Sequence, residues 1–67
     1  MDKRTFKVPN ISCQHCVMTI QRELSALDGV ISVEANADTK EATVAWDDRV
    51  SWQEIADLLA DIHYPPA

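Results

Sequence analysis

The sequence predicts an α+β fold, a sandwich with two helices on one face of an antiparallel sheet. Three observations carry that expectation. Apolar spacing switches between the two-residue period of strands and the three-to-four-residue period of helices, the switches run β, α, β, β, α, and 67 residues suffice for one small domain only. A chain of this size buries only about 60% of the surface its unfolded form exposes, so it is marginal yet able to fold alone.

Residues 3–8, KRTFKV, put Phe6 and Val8 on one face of a first strand, which Pro9 and Asn10 stop. From Ser12 the period changes: Val17, Ile20, Leu24 and Leu27 form the apolar stripe of a helix, with Gly29 as its expected C-terminal stop. VISVEA, residues 30–35, and EATVAW, residues 41–46, read as a hairpin around the polar turn 36–40, with Ala42, Val44 and Trp46 on one face. Asp47, Asp48 and Arg49 then break the pattern. In the second helix, VSWQEIADLLADI, Ser51 and Glu54 occupy capping-box positions, Val50 can staple against Ile55, and Ile55, Leu58, Leu59 and Ile62 form the buried stripe.

This order is the ferredoxin-like plan, βαββαβ, lacking only its last strand. HYPPA is all that remains, and two consecutive prolines cannot donate to a ladder, so the fourth strand should be short or rudimentary. The expected organisation is a single domain over residues 1–67, without repeat or linker.

Eleven acidic against six basic residues give a net charge of −5, which argues against nucleic acid or an anionic membrane surface as partner. No stretch reaches the ~18 to 20 apolar residues of a membrane span, so no membrane insertion is expected. Met1 to Arg4 lead into a mixed segment without the apolar core of a signal peptide, and the expected location is cytoplasmic. In a reducing cytosol the two thiols stay free.

Those thiols, Cys13 and Cys16 in NISCQHCVMTI, stand three residues apart at the entry to the first helix. A bridge between them would close too short a loop to stabilise the fold much. The helix start should favour the thiolate form of both sulfurs. Thiolates are soft ligands that select Cu(I), Hg(II), Cd(II) and Zn(II) over hard cations. Zinc usually takes four ligands, of which His15 and His63 could supply two, whereas Cu(I) is satisfied by two thiolates roughly 4 to 4.6 Å apart, given metal–sulfur bonds of about 2.2 to 2.3 Å.

With NISCQHC between strand and helix, LDGVISVEAN, EATVAWDD and a second helix ending in HY, the chain resembles the heavy-metal-associated domain family from about Thr5 to Tyr64, especially the small bacterial cytosolic copper chaperones. The resemblance implies a ferredoxin-like fold that binds Cu(I) through Cys13 and Cys16. It implies delivery to the soluble metal-binding domains of a copper-transporting P-type ATPase through two- and three-coordinate sulfur intermediates. Where the family commonly has Met two residues before the first cysteine, this chain has Ile11, an apolar loop anchor. Where it often has Gly before the last aromatic, this chain has His63 before Tyr64. Tyr64 would then shield the metal loop, with His15 and His63 as candidate auxiliary ligands or tuning groups. The shortened C-terminus is the third departure.

Other conspicuous residues have simpler readings. Met18 is a helix-surface or gap-filling residue, Trp46 and Trp52 are packing residues, Asp57 and Asp61 form a solvated face, and Arg22 could assist docking. The expected function is a carrier with no catalysis. The alternatives are a carrier of Hg, Zn or Cd, an excised ATPase domain, and a thiol–disulfide redox protein, against which the βαββα context of the CxxC stands. Four thiolates from two chains could also share copper in a metal-bridged homodimer.

Overall fold

The computed structural model describes residues 1–67 as β1 (Asp2–Lys7), α1 (Gln14–Ser25), β2 (Val30–Asn36), β3 (Glu41–Trp46) and α2 (Trp52–Asp61). The strands form one antiparallel sheet in the order β1-β3-β2, and both helices pack on it in the ferredoxin-like arrangement. Alternation along β3 explains the layering. Ala42, Val44 and Trp46 are buried while Glu41, Thr43 and Ala45 are only partly covered. Val17, Ile20 and Leu24 of α1 and Ile55 and Leu59 of α2 complete the core against that face.

The capping box on α2 forms as the sequence predicts. Glu54 N–H donates to Ser51 Oγ at 3.3 Å, and Ser51 N–H donates to Glu54 Oε2 at 3.1 Å. Val50 and Ile55, flanking the cap, are both buried. At the start of α2 the Trp52 ring meets Phe6 edge-on at 4.9 Å and Trp46 at 5.9 Å, with the Arg4 guanidinium 4.5 Å over it.

Gly29 does not stop α1. The helix ends at Ser25, after which Ala26 N–H donates to Glu23 O and Leu27 N–H to Leu24 O, so the chain tightens into three-residue turns. Leu27 keeps its apolar spacing and packs against the core from a turn, which is why periodicity extended the helix too far. Gly29, at φ +102°, instead turns the chain into β2, where its carbonyl accepts from Asp47 N–H at 2.8 Å.

No fourth strand forms, in keeping with the two prolines. Its trace is one backbone bond, from Ala67 N–H to Lys7 O at 2.9 Å, which lays the chain end along the outer edge of β1. Neither helix is long and apolar enough to cross a membrane.

Candidate metal centre

The loop that carries the cysteines is fixed from below. Ile11 N–H donates to Val8 O at 3.0 Å, closing a β-turn over Pro9 and Asn10, and the flanking Val8 and Ile11 are fully buried. Ile11 thus lies buried at the base of the loop. Beyond it Cys13 is the N-cap of α1, extended at φ −160°, and its carbonyl accepts from Cys16 N–H at 3.1 Å and Val17 N–H at 3.4 Å.

This geometry makes the two thiols unequal. Cys13 is exposed, whereas Cys16, on the inward face of the first helical turn, is 7% exposed and belongs to the core. Their sulfurs lie 3.8 Å apart, and linear coordination with bonds of about 2.2 to 2.3 Å would need them to part by about 0.6 to 0.8 Å. Neither is in a disulfide.

The Cys16 thiol is lowered from 9.0 to about 6. The largest cause is the Tyr64 hydroxyl; the Ser12 backbone and hydroxyl and the Cys13 backbone add to it, while burial opposes them. Ser12 Oγ lies 3.7 Å from Cys16 Sγ. The helix start is expected to favour the thiolate of both sulfurs; for Cys16 the largest influence comes instead from Tyr64, at the far end of the chain. Reciprocally, the Tyr64 phenol is raised by Cys16, by burial and by the charge of the two sulfurs.

His15 is exposed in the first turn of α1, and its carbonyl accepts from Thr19 Oγ1 at 2.9 Å. His63 is exposed too, and its backbone has a structural task. It sits at φ +72°, just past the α2 cap residue Ile62, with His63 N–H on Ala60 O at 3.1 Å and Tyr64 N–H on Leu59 O at 2.8 Å. That pair of bonds is a Schellman motif, and it explains why glycine suits this position. No group of three or more His, Cys, Asp or Glu side chains gathers anywhere in the chain. The fold thus brings together Cys13, Cys16, Ser12 and Tyr64, and leaves both histidines outside any such cluster.

Ser12 is a contributor that sequence reasoning passed over, although a hydroxyl immediately before a helix entry is a recognisable donor. Met18 is exposed on α1, the helix-surface alternative of its two simple readings. Neither surface concavity contains a cysteine, so the sulfur pair sits on an open loop and not in a pocket.

A two-thiol loop of this kind on a ferredoxin-like sandwich defines a class of small soft-metal-binding domains. The sequence matches the heavy-metal-associated domain family over residues 5–65, and the chain belongs to that family. It is 38% identical over 68 residues to the copper chaperone CopZ of Bacillus subtilis, covering 100% of this chain and 99% of that protein. It is 36% identical to the periplasmic component of mercuric transport from Pseudomonas fluorescens, over 91% of this chain and 68% of that protein. Among solved structures, the yeast copper transporter domain Ccc2a, studied in apo and Cu(I)-loaded states, superposes with a TM-score of 0.88 at 26% identity, covering 98% of this chain and 92% of the other. Membership makes this a heavy-metal-binding domain of the carrier and chaperone type.

Proposed function

We propose that this chain, acting as one heavy-metal-associated domain over residues 1–67, is a cytosolic Cu(I) carrier that catalyses no reaction. Cys13 and Cys16 bind the ion as thiolates and pass it by ligand exchange to the similar metal-binding domain of a copper-transporting P-type ATPase. The observation that carries the reading is the sulfur pair itself, 3.8 Å apart with no third His, Cys, Asp or Glu gathered beside it. Two thiolates complete a Cu(I) site but leave zinc two ligands short.

The inequality of the two thiols suits transfer. Cys16 is held as thiolate by Tyr64 and Ser12 at neutral pH, while exposed Cys13 offers the side from which an incoming thiolate adds. A three-sulfur intermediate follows, and one of the original sulfurs then leaves, so no bare ion is released. Ile11 anchors the loop during the exchange. At high concentration, four thiolates from two copies share copper in a metal-bridged homodimer. The likeness to a copper chaperone along the whole chain supports copper as cargo, and likeness to a copper transporter domain supports a partner of the same fold.

A mercury carrier is the second reading, favoured by the 36% identity to a mercuric transport component. Competition decides between them. The reduced protein is titrated with Cu(I) against a Cu(I) chelator, then challenged with Hg(II), Zn(II) and an ATPase metal-binding domain. Tight binding of one Cu(I) per chain, lost in Cys13→Ser and Cys16→Ser, with passage of copper to the domain, supports the proposal. Binding of micromolar strength or weaker overturns it.

A further inference from the structure

The metal loop and the C-terminal turn are 53 residues apart in sequence, yet one side chain ties them together: Asn10 Nδ2 donates to His63 O at 3.0 Å. Both ends of this bond are unusual. Asn10 projects from a turn held by Pro9 and by the buried Val8 and Ile11, so its carboxamide starts from a nearly fixed backbone. His63 lies in the left-handed region at φ +72°, where a Cβ is disfavoured and glycine carries no penalty.

The next residue is Tyr64, and its placement depends on that turn. Its N–H bonds Leu59 O at 2.8 Å only while His63 stays left-handed, and its side chain packs from there against the core cluster that contains Cys16. His63 N–H is already used on Ala60 O, and its side chain is exposed. The carbonyl that Asn10 holds is therefore the direct tie between this strained residue and the cysteine loop.

We infer that Asn10 is a positioning residue, whose carboxamide clamps the left-handed His63 turn and so keeps Tyr64 beside Cys16. The inference deepens the proposed metal site and rests on that reading for its purpose, but the clasp itself belongs to the metal-free protein. Asn10 touches neither sulfur; it acts through His63 and Tyr64.

The test uses the full chain, reduced and metal-free, with four variants: Asn10→Ala, Asn10→Asp, His63→Gly and Asn10→Ala combined with His63→Gly. Two signals are read by NMR, the exchange protection of Tyr64 N–H and the nuclear Overhauser contacts between the Tyr64 ring and Cys16. Asn10→Ala and Asn10→Asp, which both lose the donor, should lower Tyr64 protection about fivefold and weaken those contacts, with Ile20 and Val44 amides unchanged. In the double variant, the glycine introduced by His63→Gly adopts the left-handed turn unaided and both signals should return. Three results would overturn the inference: undiminished Tyr64 protection in Asn10→Ala, a loss that His63→Gly fails to restore, or an equal loss across α1 and β3. Because no metal is present, failure of Cu(I) binding would leave this result standing, and failure here would leave the two-thiolate reading intact.

Discussion

The Tyr64 hydroxyl is the largest influence lowering the Cys16 thiol, linking the last residues of the fold to the first turn of α1. The buried thiol is thus tuned by a group from the far end of the chain. Tyr64 acts on one member of the pair, lowering the Cys16 thiol.

The pH dependence of Cys16 follows from its lowered value. Between about 6 in the folded protein and 9.0 in an unperturbed thiol, the unfolded state binds the additional proton, so this group's contribution to stability grows as pH rises through that window. It is fully present above 9.0 and is lost as pH falls through about 6. The Cβ chemical shift of labelled Cys16 should titrate near 6 in the parent protein and move towards 9.0 in Tyr64→Phe. A titration indifferent to Tyr64→Phe would refute the role assigned to the hydroxyl.

Ile11 is fully buried beneath the loop, and its truncation leaves a cavity there. Ile11→Ala should destabilise the fold by about 2 to 5 kcal/mol in urea denaturation, with the stoichiometry of metal binding retained in whatever fraction stays folded. A loss under about 1 kcal/mol would mean that the loop does not rest on this residue.

Gly29 combines a left-handed backbone with close neighbours. A Cβ there would come within 3.0 Å of Arg49 Cβ, Val50 Cγ1 and Asp47 Oδ1. Gly29→Ala should therefore cost more than about 1 kcal/mol, read as a lowered melting temperature. An unchanged melting temperature would contradict the strained turn.

Neither histidine belongs to a ligand cluster, and His63 has a backbone task. His15→Ala and His63→Gly should leave the Cu(I) affinity at neutral pH unchanged in chelator competition. A large drop in either would make that imidazole a ligand.

Much of the architecture is legible because local pattern and tertiary packing agree. The alternation through Ala42, Val44 and Trp46, the stripe of Val17, Ile20 and Leu24, and the Ser51–Glu54 box all appear where the sequence puts them. Gly29 misleads because Leu27 continues the helical spacing after the hydrogen bonds have tightened into turns. The cysteine spacing locates the loop but says little about how unequal the thiols are. Burial of Cys16 comes from the inward face of α1, and its thiolate is held by Tyr64, 48 residues on by residue number. The Asn10–His63 bond is illegible for the same reason, since nothing local announces a partner across the whole chain.

X-ray absorption of the Cu(I)-loaded protein tests the two-thiolate seat most directly. Copper should show sulfur neighbours only, two per ion in dilute monomer, with bonds of about 2.2 to 2.3 Å. Nitrogen or oxygen neighbours from a histidine or a carboxylate, or copper binding that survives the Cys13→Ser/Cys16→Ser double change, would contradict it.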